Sequence, residues 1–497
     1  MKAFSSYLLC IALLLTACKP QVPADSEDTG NRPLIYPEYT DVTIPPNIAP
    51  LHFRIERAEG KAVTRFSCGE QELVVDGADA KPSESEWQQL LQAARGKRIT
   101  VDVYYEKNGR WMHDNPFSLN VAEEEIDPYL SYRLIAPSYV TYEDLTLNQR
   151  CLTDYSEKII YSNMLISTEQ DGQCINCHAY QGGNPQQMQF HVRNYLGGTV
   201  LARNGKVEKI DLKTDSTLSA GVYPAWHPSL PFIAYSTNKT GQAFHTRDVQ
   251  KIEVQDTQSD LILYDIERNE VSTISREPDA LECFPSWSPD GRYLYYCSAR
   301  FHFEHPEHPD YESITKYKDL KYSLYRRAFD AETRTFGPEE LVYDAAAEGK
   351  SATLPRLSPD GRFLMFTQGA YGVFHIWHKD ADLYLMELAS GRVRPLTEIN
   401  SPDVESYHSW STNGRWVVFS SRRNDGNYTR PFIAYIDKNG RGRKPFELPQ
   451  DDPDFHRQFL RSYNIPEFMT GPVTVSAQNF ADAIRRPERK ASYRKNQ

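Results

Sequence analysis

Hydrophobic and polar positions alternate with a period of two in short runs through the second half of the chain. After the S-P-D-G turn at 288–291, Tyr293 and Tyr295 alternate with Leu294 and Tyr296. A period of two places successive side chains on opposite faces of a β-strand. In the turn, Pro presets φ and Gly accepts the positive φ that a tight turn needs. The pattern predicts a β-hairpin around each turn of this kind.

This hairpin is one copy of an internal repeat. Four segments align without gaps: 222-VYPAWHPSLPFIAYS-236, 283-CFPSWSPDGRYLYYC-297, 353-TLPRLSPDGRFLMFT-367 and 406-SYHSWSTNGRWVVFS-420. A second hairpin-like element follows each one, at 260–275, 322–342, 382–397 and 431–448. Two hairpins make four antiparallel strands, the content of one propeller blade. Repeats of roughly 50 to 70 residues with this content predict a radial array of blades.

The number of blades depends on material outside the four clear copies. Residues 197–212 predict another hairpin, which turns at Asn204-Gly205. Strand material near the C-terminus, at 471–476, could pair with it and complete the ring. The sequence therefore predicts five or six blades.

The repeat also resembles a known family. The turn S-P-D-G-R, an aromatic strand and then D-L-Y-L are similar to the TolB-type β-propeller repeat, over about 222–448. The resemblance implies a mainly β fold with a TolB-like propeller. It also implies protein partners in the cell envelope, because TolB is a periplasmic binding platform.

The N-terminus predicts export and lipidation. One Lys precedes an apolar run of about a dozen residues, as in a signal peptide, and that run is too short for a permanent membrane span. It ends in 15-LTAC-18, which resembles the bacterial lipoprotein cleavage box. The resemblance implies that Cys18 becomes the first mature residue and carries a lipid, which anchors the protein to a membrane of the envelope, expected to be the outer one. The alternative is an ordinary signal peptide with an incidental cysteine.

Composition shifts predict the remaining boundaries. Strand patterns at 51–57 and 99–107 and a helical pattern at 84–95 predict a small β-rich domain ahead of the propeller. The predicted segments are a signal peptide at 1–18, a tether at 19–35, the β-rich domain at 36–127, a haem-binding segment at 128–196, the propeller at 197–480 and a basic tail at 481–497.

Charge and motifs exclude several classes of function. The net charge is −11 and the body has no large basic block, so nucleic acid is not expected as a partner. No phosphate-binding loop, G-x-S-x-G elbow or H-E-x-x-H is present. Only about 50 residues follow the last hairpin, too few for an added peptidase domain. Hydrolase function is therefore not expected.

The strongest chemical motif is a C-x-x-C-H formed by Cys174, Cys177 and His178. Two thiols at this spacing can bond the two vinyl groups of one haem, and the adjacent imidazole then lies under the iron. The motif resembles that of c-type cytochromes. The resemblance implies covalent haem c, with two thioether cysteines and His178 as the proximal iron ligand. Haem c is attached outside the cytoplasm, which agrees with the exported N-terminus.

The second axial ligand and the alternatives to haem stay open. His191 would give bis-His ligation with a low potential, whereas Met188 would raise the potential. A zinc knuckle would need further ligands, and no second C-x-x-C is present. A thioredoxin-like redox pair would need a βαβ setting, which the surroundings do not indicate. A structural disulfide or a free thiol pair is the remaining alternative.

The other cysteines predict disulfides, which an exported protein permits. Aligning the hairpin about its turn places Cys283 directly opposite Cys297, close enough for an S–S bond. We expect a cross-strand disulfide there, with two buried thiols as the alternative. Cys68 and Cys151 are left over and could form an inter-domain disulfide.

A histidine-rich insertion is a weaker candidate. His302, His305 and His308 recur at intervals of three residues, and imidazole suits zinc, copper and nickel. Pro306 and Pro309 argue against a helix that would align them. A polar loop is the alternative to a metal site.

The whole layout resembles bacterial TolB-like propeller lipoproteins that carry a c-type haem motif ahead of the propeller. The resemblance implies a membrane-anchored haem protein that transfers electrons or senses redox state, with the propeller as the docking surface for a redox or envelope partner. The alternative function is an envelope scaffold of TolB type whose haem or thiol pair is structural. A haem or metal enzyme is a third hypothesis.

Overall fold

The computed structural model describes residues 20–136 and 144–495. The signal peptide and Cys18 lie outside the described residues, so their predicted roles remain predictions. The described chain is mainly β, as predicted. Among its helices, none is long and apolar enough to cross a membrane.

The first domain is a small β-rich body with one helix. Its elements are β1 Glu27–Asp28, β2 Ile35–Tyr36, β3 Thr43–Ile44, β4 Phe53–Ile55, β5 Ala62–Cys68, β6 Gln71–Asp76, β7 Asp79–Ala80, α1 Glu84–Ala94, β8 Arg98–Lys107, β9 Arg110–His113 and β10 Phe117–Val121. The larger sheet has the order β1-β9-β8-β10-β3, and β5 joins β6 to β8. The helix begins where Ser83 Oγ accepts a hydrogen bond from Glu86 N, and it buries Trp87 edge-on against Phe66. The predicted strands and helix are present.

The rest of the chain forms strands in groups of four with a few short helices. In chain order these elements are β11 Tyr129–Ile135, β12 Thr146–Cys151, β13 Glu157–Ser162, β14 Cys174–Gln181, β15 Asn184–Arg193, β16 Gly198–Arg203, β17 Lys206–Asp211, β18 Val222–Trp226, β19 Phe232–Phe244, β20 Ile252–Asp265, β21 Glu270–Ser275, β22 Ala280–Trp287, β23 Tyr293–Arg300, α2 Pro309–Thr315, β24 Tyr322–Asp330, β25 Thr335–Tyr343, β26 Ser351–Leu357, β27 Phe363–Gly369, β28 Asp382–Glu387, β29 Arg392–Pro395, β30 Glu405–Trp410, β31 Trp416–Ser421, β32 Arg430–Tyr435, β33 Phe446–Glu447, α3 Phe455–Gln458, β34 Ser462–Met469, α4 Ala477–Arg485, β35 Arg489–Lys490 and β36 Ser492–Tyr493. Short 3₁₀ turns lie at Asn163–Leu165, Tyr317–Asp319 and His375–Trp377.

These groups form a β-propeller-like ring. Each group from β14 to β33 is an antiparallel meander of four strands. The groups β18–β21 and β22–β25 also share one parallel bridge, Ser259 to Leu281. The first strand of each group contacts the first strand of the next, in the order β14, β18, β22, β26 and β30. β34 contacts both β30 and β14 and so completes the ring of six inner strands.

The ring is completed at a different place from the one predicted. β34 pairs antiparallel with β11, with Phe468 opposite Leu130, in the sheet β13-β12-β11-β34. The predicted closing strand at 471–476 is not a strand; instead Val473 donates its backbone N–H to Gln149 Oε1 at 2.6 Å. Residues 128–196 do not form the separate segment that was predicted. Instead β11, β12 and β13 form a sheet with β34, and β14 and β15 begin the next sheet.

The predicted tether and the predicted basic tail are partly strands at sheet edges. β1, within the predicted tether, pairs in parallel with β9, where Glu27 is opposite Met112. β35 and β36, within the predicted basic tail, pair in parallel with β17 and β21. Edge strands bind through backbone N–H and C=O groups. Polar two-residue strands of this kind carry no periodic signal, which is why the sequence pattern missed them.

The six inner strands share one backbone irregularity. Each has a residue with φ between 47° and 55° at a break in strand register. These residues are Cys177, Tyr223, Phe284, Leu354, Tyr407 and Ile465. Each of them is the second residue of a pentapeptide. Aligned on that residue, 176-NCHAY-180 corresponds to VYPAW, CFPSW, TLPRL, SYHSW and, at 464–468, NIPEF. The repeat therefore occurs six times, and one copy overlaps the C-x-x-C-H motif.

Tryptophans at the end of three pentapeptides join neighbouring strand groups. The indole N–H of Trp226 donates to Ala179 O at 3.2 Å, and that of Trp287 donates to Ala225 O at 3.0 Å. Trp410 donates in the same way to Arg356 O at 3.3 Å. A buried indole needs such a partner for its N–H. Each bond also fixes one inner strand against the previous one.

Packing between sheets makes one repeat turn less tolerant than another. Gly291 (φ +71°) and Gly361 (φ +69°) occupy the same position in two S-P-D-G turns. A Cβ on Gly291 would lie 2.3 Å from His227 Nε2, whereas nothing lies within 4 Å of one on Gly361. We expect Gly361→Ala to cost about 1 kcal/mol for the positive φ. Gly291→Ala should cost about 1–2 kcal/mol more, because His227 of the neighbouring strand group must move. Urea unfolding of both variants measures the difference, and equal losses would contradict the packing described here.

Candidate functional site

A cavity of about 410 Å³ lies where the six inner strands meet. We call it the axial cavity. Each inner strand contributes its positive-φ residue and the residue two positions later. Trp226, Trp287 and Trp410 add aromatic surface to the lining. A concave space of this size, with apolar walls and a few polar groups, has the character of a small-molecule site.

Two charged side chains interrupt a ring of small residues around this cavity. The positions two residues after the positive-φ residue hold Ala179, Ala225, Ser286, Ser409, Arg356 and Glu467. Among the described residues no ion pair joins Arg356 to Glu467, although both line the cavity. Arg356 Nη1 donates to Pro355 O at 3.2 Å and, weakly, to Pro285 O at 3.5 Å. The remaining guanidinium N–H groups are left for a bound molecule.

Burial changes the charge of this pair. Burial raises the pKa of Glu467 to about 7, against the opposing effect of Arg356 and of the Tyr180 N–H, which donates to Glu467 Oε1 at 3.3 Å. Burial lowers the pKa of Arg356 from its usual value. Near neutral pH, Glu467 is therefore poised between accepting and donating a hydrogen bond. Arg356 remains a donor with a positive charge.

Two histidines occupy the same position of the repeat and also line the cavity. His178 and His408 stand where the other four pentapeptides have Pro. Burial lowers the pKa of each to about 3, so both are neutral at physiological pH. His408 Nε2 lies 3.1 Å from Met365 O, whereas His408 Nδ1 and His178 Nε2 are buried without a hydrogen-bond partner among the described residues. Unpartnered buried nitrogens of this kind are costly unless a ligand or water satisfies them.

The structure separates the residues of the predicted haem site. Cys177 and His178 line the axial cavity, but Cys174 does not. Cys174 is paired with Arg193 in the β14–β15 ladder, and its Sγ lies 3.6 Å from Arg193 Nη2. Burial raises the pKa of the Cys177 thiol. Two thiols and one imidazole must face one haem for covalent attachment. This arrangement fits the imidazole ligand and one thiol, but not both thioether bonds.

The two candidate second ligands also lie away from this cavity. His191 is on β15, where its Nδ1 is 3.5 Å from Thr199 Oγ1. Met188 is buried in the apolar cluster that contains Phe190. Haem attachment would require the first residues of β14 to leave their ladder. The haem c prediction therefore stays a prediction.

The cysteines outside the motif are free thiols in the described structure. The predicted register is confirmed, because Cys283 lies opposite Cys297. The predicted disulfide is not formed: Cys297 Sγ donates to Cys283 O at 3.3 Å, and Cys283 Sγ accepts from Asn238 Nδ2 at 3.7 Å. Strand register brought the two residues together, but these contacts turn each sulfur toward another partner.

The other predicted disulfide is also absent. Cys68 ends β5 in the first domain and Cys151 ends β12. The sulfur of Cys151 lies 3.2 Å from Thr153 Oγ1. The two residues are in different sheets, which sequence spacing could not reveal.

The histidine insertion is at the surface. His302 and His305 side chains are 72% and 69% exposed, and they contact different carboxylates, Asp279 and Glu307. His308 precedes the first residue of α2. No group of three or more potential metal ligands occurs in the described parts of the chain. The metal-site hypothesis for His302, His305 and His308 stays a prediction.

Sequence analysis missed four residues of the axial cavity that carry polar chemistry. They are Arg356, Glu467, His408 and Tyr407. All four lie inside recognised repeat copies or the C-terminal segment, and three of them, Arg356, Glu467 and His408, replace the Pro or the small residue of other copies. A departure from the repeat consensus at the third or fourth position of the pentapeptide was the available signal. It becomes readable only when all six pentapeptides are aligned.

Comparisons with known proteins give no family. No family model matches the chain, and no curated protein matches it. Among solved structures, it is similar to prolyl oligopeptidase B from Galerina marginata (10% identity, TM-score 0.35, covering 65% of this chain and 44% of that one). It is also similar to the tricorn protease (12%, 0.34, 72% and 34%) and to the periplasmic gluconolactonase PpgL from Pseudomonas aeruginosa (12%, 0.33, 64% and 96%). The chain spans about half the length of the prolyl oligopeptidases it matches, 42 to 52% of each. At these TM-scores no role or activity is transferred to this chain.

The raised pKa of Glu467 predicts a pH-dependent stability difference. The folded state binds a proton at this site up to about pH 7, whereas the unfolded chain releases it near its ordinary value of 4.5. Stability from this group is therefore present at low pH and is lost as pH rises through 7. Relative to wild type, Glu467→Gln should gain about 2 kcal/mol between pH 5 and pH 8.

Urea unfolding of wild type and Glu467→Gln across this pH range measures the change. Glu59→Gln, at an exposed position of the first domain, is the matched control and should show no such trend. A stability difference for Glu467→Gln that stays constant with pH would contradict a buried, protonated carboxyl.

Proposed function

We propose that this protein is an exported binding protein of the cell envelope whose six strand groups are the blades of one propeller. In this proposal β34 closes the propeller by joining β11, and the axial cavity is the ligand site. The signal-peptide pattern and the lipoprotein box at Cys18 support anchoring in the envelope. This corresponds to the binding alternative predicted from the sequence rather than to electron transfer.

One observation carries the proposal. Arg356 and Glu467 face the same cavity of about 410 Å³ from inner strands on either side of β30, yet no ion pair joins them. Two half-buried ionisable groups that line one cavity without pairing with each other remain available to a bound molecule. A ligand with an anionic group for Arg356 and a polar group for Glu467 meets that requirement. The aromatic walls would bury its apolar part.

A fragment screen tests the proposal. Carboxylate-containing and neutral fragments are tested for binding by ligand-observed NMR on wild type, Arg356→Gln and Arg292→Gln. Arg292 is the exposed arginine of a repeat turn and serves as the matched control. Carboxylate hits should bind at least about tenfold more weakly to Arg356→Gln and unchanged to Arg292→Gln, because a charge-assisted bond is lost.

A cavity-filling variant gives a second readout. Ala225→Trp places an indole in the axial cavity and should abolish binding of all cavity ligands while the protein stays folded by circular dichroism. Hits that bind to Arg356→Gln and to Ala225→Trp as tightly as to wild type would place the ligand site outside the axial cavity. The absence of any hit on wild type would overturn the proposal.

Haem binding is the second candidate function, and one observation favours it. His178 Nε2 is buried without a partner beside a cavity that Cys177 also lines. Covalent haem c, held by Cys174, Cys177 and His178, would supply one-electron transfer to a redox partner. His191 or Met188 would serve as the second ligand only after rearrangement, since neither lines the cavity.

A haem stain decides this candidate. Protein produced with the cytochrome c maturation machinery is compared with a Cys174→Ala/Cys177→Ala variant, using a denaturing-gel haem stain and a reduced-minus-oxidised spectrum. The haem candidate expects a covalent band that this variant loses and that Cys283→Ala/Cys297→Ala keeps. A wild-type protein without the band, although soluble and folded, would remove haem from the account.

A further inference from the structure

A second pocket lies at the outer strands of two neighbouring sheets. Its lining contains four arginines. Arg392 and Arg394 lie on β29, and Arg441 and Arg443 lie between β32 and β33. The four side chains and Glu398 line one pocket of about 390 Å³, which we call the arginine pocket. The protein as a whole carries a net charge of −11, so a basic composition does not explain the cluster.

The backbone builds this pocket rather than leaving its arginines on loose loops. Residues two apart on an extended segment project to the same side, as do Arg392 and Arg394 on β29. The facing pair flanks Gly442, which forms an isolated bridge with Ile436. A Cβ on Gly442 would lie 2.7 Å from Ile399 Cδ1. Gly442 therefore packs so closely against Ile399 that a larger side chain would clash.

A second glycine fixes the turn that precedes this pair. Gly440 has φ +77°, and a Cβ there would lie 2.9 Å from both Leu385 Cδ2 and Phe363 Cε1. Its carbonyl oxygen accepts a hydrogen bond from Arg394 Nη2. Asp437 accepts the backbone N–H groups of Asn439 at 2.8 Å and Arg441 at 3.0 Å. The turn is thus docked on the sheet that carries the other two arginines.

The charges of the arginine pocket are poorly compensated by the protein. Within the described residues, the only ion pair of the four arginines joins Arg443 Nη2 to Asp437 Oδ2, at 3.7 Å. The side chains of Arg392 and Arg441 have no hydrogen bond or ion pair there. Glu398 is the one carboxylate in the lining, and it makes no ion pair with them. Four converging guanidinium groups repel one another unless an anion lies between them.

We propose that the arginine pocket binds a phosphorylated anion. Guanidinium groups donate in a planar fork that matches phosphate oxygens, and several such groups favour a ligand with more than one negative charge. The same chemistry is offered by a soluble phosphorylated molecule and by a phospholipid headgroup. The site is independent of the axial cavity, because the two linings share no residue.

Calorimetry with pyrophosphate tests the proposal on the intact exported protein at fixed ionic strength, with acetate as the singly charged comparison. Arg392→Gln/Arg441→Gln should weaken pyrophosphate binding at least about tenfold, because two of four charge-assisted contacts are lost. Arg110→Gln/Arg247→Gln removes the same charge from other exposed positions and should leave binding unchanged. Arg356→Gln should also leave it unchanged, which separates this result from ligand binding in the axial cavity.

Flotation of the unlipidated Cys18→Ser protein with phosphatidylcholine vesicles, with and without phosphatidylglycerol, distinguishes the two sources, because a lipid anchor would carry every variant to the vesicles. Binding of anionic vesicles that Arg392→Gln/Arg441→Gln abolishes assigns the site to a lipid headgroup. Pyrophosphate binding without vesicle binding assigns it to a soluble phosphorylated ligand. Equal weakening by the two double variants, or no binding of either probe, would overturn the proposal. Unchanged thermal midpoints confirm that the exposed substitutions leave the fold intact.

Discussion

The pairing of β34 with β11 is the contact on which the rest of the ring depends. It joins a strand near the C-terminus to one that directly follows the first domain, with Leu130 opposite Phe468. β34 lies between β30 and β14 and contacts both. Without its pairing to β11, these two inner strands would each lose that contact. Because this pairing bridges over three hundred residues, its loop-closure entropy is large and must be offset by burial. Phe468 and Leu130 are both buried in the apolar cluster that also contains the first domain's core.

The inner strands turn this closure into a site. Every inner strand has one residue with a positive φ, which breaks the ladder of backbone hydrogen bonds. The residue two positions after it lines the axial cavity. Bulges of this kind re-aim side chains and recur beside functional sites. Four of the six following positions hold Ala or Ser, so the cavity stays open, and the other two hold Arg356 and Glu467. The symmetry of the backbone supplies the space, and the departures from sequence symmetry supply its chemistry.

The sequence predicted the repeated hairpins and the register of Cys283 with Cys297 because turn chemistry and period two are local signals. It did not predict that Ser462–Met469 pairs with β11, because the pentapeptide copy at 464–468 marks an inner strand but carries no information about its partner. The motif at Cys174 shows how two local signals can overlap. Its spacing is a strong local signal for haem attachment, yet the residues 176–180 are also one copy of the pentapeptide, which lacks the Pro and Trp of other copies. Burial and the β15 ladder then decide where each side chain faces.

Hydrogen exchange measured by mass spectrometry tests whether 174–181 and 462–469 are inner strands of one ring. Amide protons in a cooperative unit exchange through a common opening. We expect the paired amides of both segments to exchange as slowly as those of 283–287, and all three segments to lose protection together in denaturant. Fast, independent exchange of 174–181 or of 462–469 in the native protein would contradict this expectation, since neither segment would then belong to the ring.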